Sequence, residues 1–535
     1  MKIFYLIIVT LFFISPALNA VTVDSTIIAL VIIDTNDFTI VDGYRIPATM
    51  KIFYNEFNKM NRPTDVPAYN GNINIGIRGS FSASLPQKSY RFETDDASGN
   101  PLNVSLLGLP AENDWILLAN YNDKTFVRAP IAYNAFLEMG HWAARSRHCE
   151  VIINGNYMGI YTLLEKIKRD SHRVDISKMD LTTNTGNGLT GGYIFSHDNN
   201  SEGDPSWNSR YGINYIYVYP KPQEITTQQM NYLKQYVNTF ENVLLGNSFS
   251  DPVYGYNSYI NAASFYDYFL VGELSRNVDA YKKSSFWNKQ NIADGGLLNA
   301  GPVWDFDWAF KNLNDGSEGC FCRNLDGSGW AYKVGDCGWG GTPAFWISRM
   351  LEDTTFANNL HHRYFELRKN ALSESRIFAY IDSIQNLLKI PQKRHYQAWP
   401  ILGLSVGAPE IGSFPKTYDG EIAKLKTWIS LRLNWLDENM VGKEPALQTN
   451  SIKNLIVDKG FKMFPNPCRN ILYVESVQAL SEVLICSIDG NVQLTKININ
   501  SRECALDVSH LTSKLYILKL RFANGERHNT KLMIE

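Results

Sequence analysis

The chain carries the stretch Glu273-Leu-Ser-Arg-Asn-Val-Asp-Ala-Tyr-Lys-Lys-Ser-Ser-Phe-Trp287 and, after a short glycine-bearing turn, Gly301-Pro-Val-Trp-Asp-Phe-Asp-Trp-Ala-Phe310. In the first stretch, Asp279 is followed by a polar segment. In the second stretch, Asp305 lies at the end of a predicted apolar strand. Two carboxylates on neighbouring strands can orient a hydroxyl group and hold a divalent cation, which phosphoryl transfer requires. The two stretches therefore predict a kinase-type site.

Length, composition and charge limit the classes of protein to consider. The 535 residues are 44% hydrophobic and 19% charged, so the chain can bury a large core and is expected to divide into more than one domain. Its formal net charge is -2, and no run of five like charges appears. Binding to nucleic acid or to an anionic membrane surface is therefore not expected.

The first 20 residues have the pattern of a signal peptide. Lys2 precedes an apolar block from Ile3 to Ile14, and Ala20 is a small residue at the expected cleavage site. The block is shorter than the ~20 residues of a spanning helix, and no other segment approaches that length, so no transmembrane anchor is expected. Export through the periplasm exposes thiols to oxidation, and the seven cysteines leave at least one unpaired.

Periodicity predicts strands first and helices later. Alternating apolar residues between about positions 25 and 54 predict an antiparallel meander, and positions 73–93 predict strand, glycine-serine loop and strand. A helix is predicted within Asp123–Gly140, followed by a hairpin that ends at Glu165. The second half is predicted to be mainly helical, with helices at Gln229–Leu244, Ala262–Glu273, Phe345–Leu351, Phe356–Leu372, Arg376–Leu388 and Glu421–Asn439.

Before residue 440, the ordered motifs resemble the spore coat protein H (CotH) kinase family, an atypical secreted branch of the kinase fold. The resemblance implies an α+β, two-lobed kinase-like domain over residues 21–440, with a β-rich N-lobe and a helical C-lobe. The matching motifs include Ile77-Arg-Gly-Ser80, Leu85-Pro-Gln-Lys-Ser-Tyr-Arg-Phe92, Asn154-Gly-Asn-Tyr-Met-Gly-Ile-Tyr161, Gly191-Gly-Tyr-Ile194, Asn277-Val-Asp279 and Gly301-Pro-Val-Trp-Asp-Phe306.

The resemblance also implies residues that bind the phosphates of ATP. Lys88 matches the family's nucleotide-phosphate lysine, and its ammonium offers three donors. The loop that begins at Gly79 and Ser80 is expected to cover the phosphates with its backbone N–H groups. Glu165, at the end of its predicted strand, is expected either to pair with Lys88 or to cap the chain segment that touches a nucleobase. The alternative is that Lys88 lies on a solvated edge strand and that Glu165 is a surface glutamate.

The acidic residues are assigned to acceptor and cation. Asp279 is the candidate for orienting the acceptor hydroxyl, although Asn and Asp also favour a helix-ending turn. Asp305 matches the metal-holding acid of an Asp-Phe-Gly motif, with Mg²⁺ or Mn²⁺ as the cation, and Asp307 replaces the glycine. Conventional kinases place a second cation ligand, an Asn, five residues after the catalytic Asp. That position is Ser284 here, a shorter and weaker ligand.

The cysteine-containing loop after Asp305 is expected to be closed by a disulfide. Cys320, Cys322 and Cys337 lack a nearby His, so they match a zinc site poorly. In an oxidising compartment, a disulfide from Cys337 to Cys320 or to Cys322 is the preferred interpretation.

The C-terminal tail resembles a second family. After a linker at positions 441–456, short strands and motifs such as Phe464-Pro-Asn-Pro467 and Leu515-Tyr-Ile517 resemble the C-terminal sorting domain of the type IX secretion system. The resemblance implies a small β-sandwich at positions 457–535 that is recognised by the export machinery, and a final location in the medium or on the outer cell surface. An ordinary β-sandwich binding module is the alternative.

Three functions follow from these features. The first is an exported kinase that transfers the γ-phosphoryl group of ATP to hydroxyl side chains of secreted or surface proteins. The second is a catalytically inactive scaffold or adhesin with the kinase fold, which Ser284 and the scarcity of nucleotide outside the cytoplasm favour. The third, a glycoside hydrolase, needs its two carboxyls about 5–9.5 Å apart across an open sugar cleft, and the family resemblance supplies no such cleft.

Overall fold

The structure is a computed structural model that describes residues 21–56, 59–198, 200, 203–338, 345–444, 461–487 and 491–535. The chain divides into two compact units, residues 1–444 and 445–535. The predicted signal peptide and most of the predicted linker lie outside the described residues.

The first unit begins with a closed barrel of seven strands. In barrel order β1-β2-β3-β4-β5-β7-β6, the strands are β1 Ala29–Asp34, β2 Ile46–Phe53, β3 Tyr69–Arg78, β4 Ser89–Asp95, β5 Asp114–Ala119, β6 Ser146–Ile153 and β7 Asn156–Glu165. The predicted hairpin that ends at Glu165 is confirmed as β6 and β7. The predicted antiparallel pairing between about positions 25 and 54 is confirmed as β1 with β2. In addition, β1 pairs in parallel with β6, which closes the barrel.

Strand β1 is buried along most of its length. The run Ala29-Leu-Val-Ile-Ile33 in β1 is nearly continuously apolar and buried, which is typical of a strand with no free edge or solvent face. Inside the barrel, Ile75, Phe92 and Trp115 are fully buried within one apolar core. The N-terminal part, for which the family resemblance implied a β-rich lobe, is therefore a closed barrel with its own core.

The rest of the first unit combines a second sheet with helices. The sheet has the order β12-β11-β8-β10-β9, and its strands are β8 Tyr193–His197, β9 Ser206–Asn208, β10 Asn214–Tyr219, β11 Ser285–Lys289 and β12 Leu298–Ala300. The helices are α1 Arg128–Glu138, α2 Gly186–Leu189, α3 Thr227–Leu245, α4 Ala262–Ser275, α5 Trp346–Met350, α6 Thr354–Arg368, α7 Glu374–Leu388, α8 Pro391–Ala398 and α9 Tyr418–Asn439. All the predicted helices are confirmed within a few residues, whereas the second sheet, the short helix α2 and α8 were not predicted.

Helix α8 attaches the barrel to the helical part. The Nδ1 atom of His395 accepts a hydrogen bond from the Ile160 backbone N–H at 3.0 Å, and the Trp399 indole donates to the Met158 carbonyl at 2.9 Å. Between them, Gly159 has a φ of 100°, and a Cβ there would lie 2.7 Å from His395 Nδ1. Only glycine allows this close approach, so β7 is held firmly against α8.

The C-terminal unit is one hydrogen-bonded sheet of five strands. These are β13 Phe461–Phe464, β14 Ile471–Ser487, β15 Val492–Asp507, β16 Lys514–Phe522 and β17 Arg527–Ile534. Register shifts between Glu475 and Glu482 divide β14, whose first half pairs with β13 and second half with β16. The β-rich C-terminal region is confirmed, and its buried apolar residues form one core. Across all described residues, no helix combines the length and apolarity needed to span a membrane.

Candidate functional site

The Asp279 side of the site is a tight turn between α4 and β11. Helix α4 ends at Ser275, and Arg276 takes the left-handed conformation with a φ of 45°. The side-chain oxygen of Asn277 then accepts a hydrogen bond from the Asp279 backbone N–H at 3.2 Å. Asp279 therefore lies in a turn, and the predicted placement of both acids on neighbouring strands is wrong.

The Asp305 side is an irregular segment that starts after β12. Asp305 has a φ of 65°, a strained backbone conformation for any residue other than glycine, although Asp tolerates it better than most. Its backbone N–H donates to the Tyr133 hydroxyl of α1 at 3.2 Å. The Asn277 amide donates to the Asp305 carbonyl at 3.2 Å. Asn277 thus joins the Asp279 turn to the Asp305 segment, and such strain is often found at functional sites.

Ser284 brings a further acid into the site. Its hydroxyl lies 3.3 Å from Oδ2 of Asp305 and 3.1 Å from Oδ2 of Asp198. Ser284 is itself held at a φ of 47°. Asp198 was not predicted, because it becomes a neighbour only through the pairing of β8 with β11. The one signal in the sequence is an acid directly after an apolar strand.

Several negative charges meet around Asp305. The side chain reaches solvent, yet protein atoms crowd it, and this burial is the largest cause of a pKa well above that of an ordinary carboxyl. The charges of Asp307, Asp279 and Asp198 raise the pKa further, and the Arg78 guanidinium opposes them. Concentrated negative charge of this kind favours a bound cation.

The pKa of Asp279 is also raised, first because the carboxyl is partly buried. Lys282 and Lys283 oppose the rise, and the Lys282 ammonium lies 3.3 Å from an Asp279 oxygen. Asp307 adds to the rise in the Asp279 pKa and accepts a hydrogen bond from the Asn122 amide at 2.7 Å. Asp279, Asp305 and Asp307 therefore belong to one electrostatic cluster.

The barrel contributes the loop that follows β3. At the end of β3, the Arg78 guanidinium lies over the Trp304 ring at 5.8 Å. Further along the loop, the Phe81 ring meets the Trp308 ring edge-on at 5.3 Å. These contacts place the loop beginning at Gly79 and Ser80, both exposed, next to the segment that carries Asp305.

Lys88 and Glu165 do not pair with each other. The Lys88 ammonium donates to the Ala83 carbonyl of the same loop at 2.8 Å. Glu165 is fully buried and binds Arg145 through both carboxylate oxygens at 2.7 Å, with Arg173 at 3.3 Å. The expected pairing of Glu165 with Lys88 is thus wrong, as is a surface position for Glu165. Its carboxylate pairs with two arginines, Arg145 and Arg173. The periodicity of the sequence does not show that these arginines lie near Glu165.

The donor atoms at Asp305 suit a hard cation. Among the described residues, no group of three or more His, Cys, Asp or Glu side chains is arranged to hold a metal ion. Mg²⁺ needs fewer protein ligands, because it is usually bound by one or two carboxylates together with water and substrate phosphates. Asp305 and Ser284, with Asp198 beside them, fit that requirement.

The loop after this segment is closed as predicted. Cys337 forms a disulfide with Cys320, with an S–S distance of 2.11 Å, which confirms a disulfide from Cys337 and selects its partner. Cys322 is a buried free thiol.

Two family models match parts of this chain. Residues 75–436 match the CotH kinase protein family, which is more than half of the chain. The chain belongs to the CotH kinase family. Residues 462–535 match the Secretion system C-terminal sorting domain, so this CotH family protein carries an export address and is secreted or placed on the cell surface. No curated protein matches the chain.

Proposed function

We propose that this CotH family protein is an exported kinase that transfers the γ-phosphoryl group of ATP to hydroxyl side chains of secreted or surface proteins. The observation that carries the proposal is the junction made by Asn277, which donates to the Asp305 carbonyl and accepts from the Asp279 N–H. The two acids assigned to acceptor and cation are thereby fixed to each other by one buried side chain.

Phosphoryl transfer asks a protein mainly for positioning and for stabilisation of charge. Asp279 suits the acceptor side, because a carboxylate whose pKa is raised by burial is a stronger acceptor for the proton of a hydroxyl. Asp305 and Ser284 are the proposed holders of Mg²⁺ or Mn²⁺. When bound, the cation neutralises charge on the terminal phosphates of the nucleotide.

The barrel supports the phosphate side of the proposal. The Phe81–Trp308 contact keeps the loop at Gly79 and Ser80 beside the Asp305 segment, where backbone N–H groups can receive phosphate oxygens. Lys88 already touches this loop through the Ala83 carbonyl. We propose that its ammonium exchanges this carbonyl for a phosphate oxygen, which is the stronger, charged acceptor.

The test is transfer of label from γ-labelled ATP. Purified protein is incubated with Mg²⁺ or Mn²⁺ and a mixture of exported proteins, and incorporation into itself and into the mixture is measured. We expect Asp305→Ala and Asp279→Ala to abolish incorporation. Asp175→Ala, at an exposed carboxylate outside the site, is the matched control and should retain it. Equal incorporation by wild type and Asp305→Ala would remove the kinase mechanism.

The second candidate is a catalytically inactive scaffold or adhesin with the same fold. Ser284 at the position of the second cation ligand and the Lys88–Ala83 bond favour it. The label-transfer assay, run together with calorimetric binding of an ATP analogue, separates the two functions, because nucleotide binding without incorporation in wild type supports the scaffold.

A further inference from the structure

The strand register places Asp198 opposite Ser284. Strands β8 and β11 pair antiparallel, and Ser285 is aligned with His197. Asp198 is the first residue after β8, and Ser284 is the last residue before β11. Both therefore lie at the same end of the sheet, next to this pair. The meeting of these two residues is therefore fixed by the sheet.

Two carboxylates share the Ser284 hydroxyl. Its oxygen lies 3.1 Å from Asp198 and 3.3 Å from Asp305, but a hydroxyl has one proton and can donate it to only one acceptor at a time. Two negative groups are thus held close together with a single proton of Ser284 between them. Two carboxylates and a hydroxyl are hard oxygen donors of the kind that Mg²⁺ and Mn²⁺ prefer.

We propose that Asp198 supplies the second cation ligand of this site, in place of the Asn that conventional kinases carry at the position of Ser284. The inference rests on the proposed function, because it assigns a residue to the cation that phosphoryl transfer needs. The carboxylate of Asp198 comes from the neighbouring strand and meets the Ser284 hydroxyl on the side where Asp305 also lies within 3.3 Å of it. The Ser284 hydroxyl lies between the two carboxylates and remains an oxygen donor to the same cation.

The test measures Mn²⁺ binding directly, by electron paramagnetic resonance of free Mn²⁺, with a non-hydrolysable ATP analogue present. Changing an outer partner of a metal ligand typically weakens affinity 10–100-fold, so loss of a direct ligand should cost at least about tenfold. We expect this loss for Asp198→Asn and a larger one for Asp305→Asn. Asp175→Asn, the exposed control, should bind as wild type does.

A rescue variant separates ligation from folding. Asn is among the residues that best tolerate a left-handed backbone, so Ser284→Asn fits the φ of 47° at this position. Added to Asp198→Asn, it should restore Mn²⁺ affinity to within about threefold of wild type. If Ser284→Asn does not restore Mn²⁺ affinity, the inference that Asp198 takes the place of the Asn ligand is overturned.

The remaining outcomes distinguish the inference from the proposed function. If Asp198→Asn binds Mn²⁺ as tightly as wild type while Asp305→Asn does not bind, the inference is overturned and the kinase proposal stands. If wild type binds no Mn²⁺ with the nucleotide analogue, the kinase proposal fails and the inference fails with it.

Discussion

Removing either of two neighbouring carboxylates should stabilise the metal-free protein. Asp198 and Asp305 each have an oxygen near Ser284 Oγ, at 3.1 and 3.3 Å, so these two oxygens lie at most about 6.4 Å apart. At that separation, two unit charges repel by about 0.6 kcal/mol in water and by about 2.6 kcal/mol at an effective dielectric constant of about 20. Asp305 reaches solvent, and screening therefore reduces the expected repulsion to about 1 kcal/mol.

A double-mutant cycle measures this repulsion. In EDTA, Asp198→Asn and Asp305→Asn should each raise the midpoint of thermal unfolding by about 1–2 °C, since large domains shift by few degrees per kcal/mol. The double variant should gain less than the sum of the two, with a coupling energy of about 1 kcal/mol. Additive effects, or destabilisation by both single variants, would refute the arrangement of charges around Ser284.

The pH dependence of folding stability is an independent test of whether the Asp305 charge destabilises the folded protein. The pKa of Asp305 is raised in the folded protein, so the unfolded chain releases this proton at lower pH than the folded protein does. The protonated folded form is favoured below the ordinary Asp pKa of about 3.9, and this stability is lost as pH rises through the raised value. The gain from Asp305→Asn should therefore be small at low pH and grow towards neutral pH. A gain that shrinks as pH rises would contradict the raised pKa.

Three further predictions concern the surroundings of the site. Glu165→Gln removes the charge of a fully buried carboxylate that pairs with Arg145 and Arg173, and it should lower the free energy of unfolding by about 3 kcal/mol in urea titrations; an unchanged midpoint would contradict its structural role. Cys337→Ser opens a disulfide to Cys320 that spans 17 residues and should cost about 3 kcal/mol; reduction should destabilise wild type equally and the variant not at all. Phe81→Ala removes the ring contact with Trp308, worth about 0.5–1.5 kcal/mol, and should weaken binding of an ATP analogue about two- to tenfold by calorimetry; unchanged affinity would separate the loop from the nucleotide.

Local signals in the sequence predicted the helices, the hairpin and the disulfide loop. The helices have strong 3.6-residue periodicity, and the hairpin has an Asn-Gly turn at Asn154 and Gly155, so these elements depend on short-range information. The closed barrel depends on the parallel pairing of β1 with β6, which are more than 100 residues apart. No local pattern encodes such a pairing.

For the site as well, the sequence predicted the residues in local motifs and missed those that depend on distant segments. Asp279, Ser284 and Asp305 stand in recognisable motifs, and they were predicted. Asp198 joins them only through the register between two strands, which the alternation of residues does not determine. Glu165 was assigned from its position at a strand end, but the arginines that occupy it come from distant segments.

The most direct measurement of the central claim is an anomalous difference map from crystals grown with Mn²⁺ and a non-hydrolysable ATP analogue. The account predicts a peak in contact with the carboxylates of Asp305 and Asp198, with the terminal phosphates beside it and the Asp279 carboxylate facing the γ-phosphate. Nucleotide bound elsewhere, or a cation that does not touch Asp305, would contradict it.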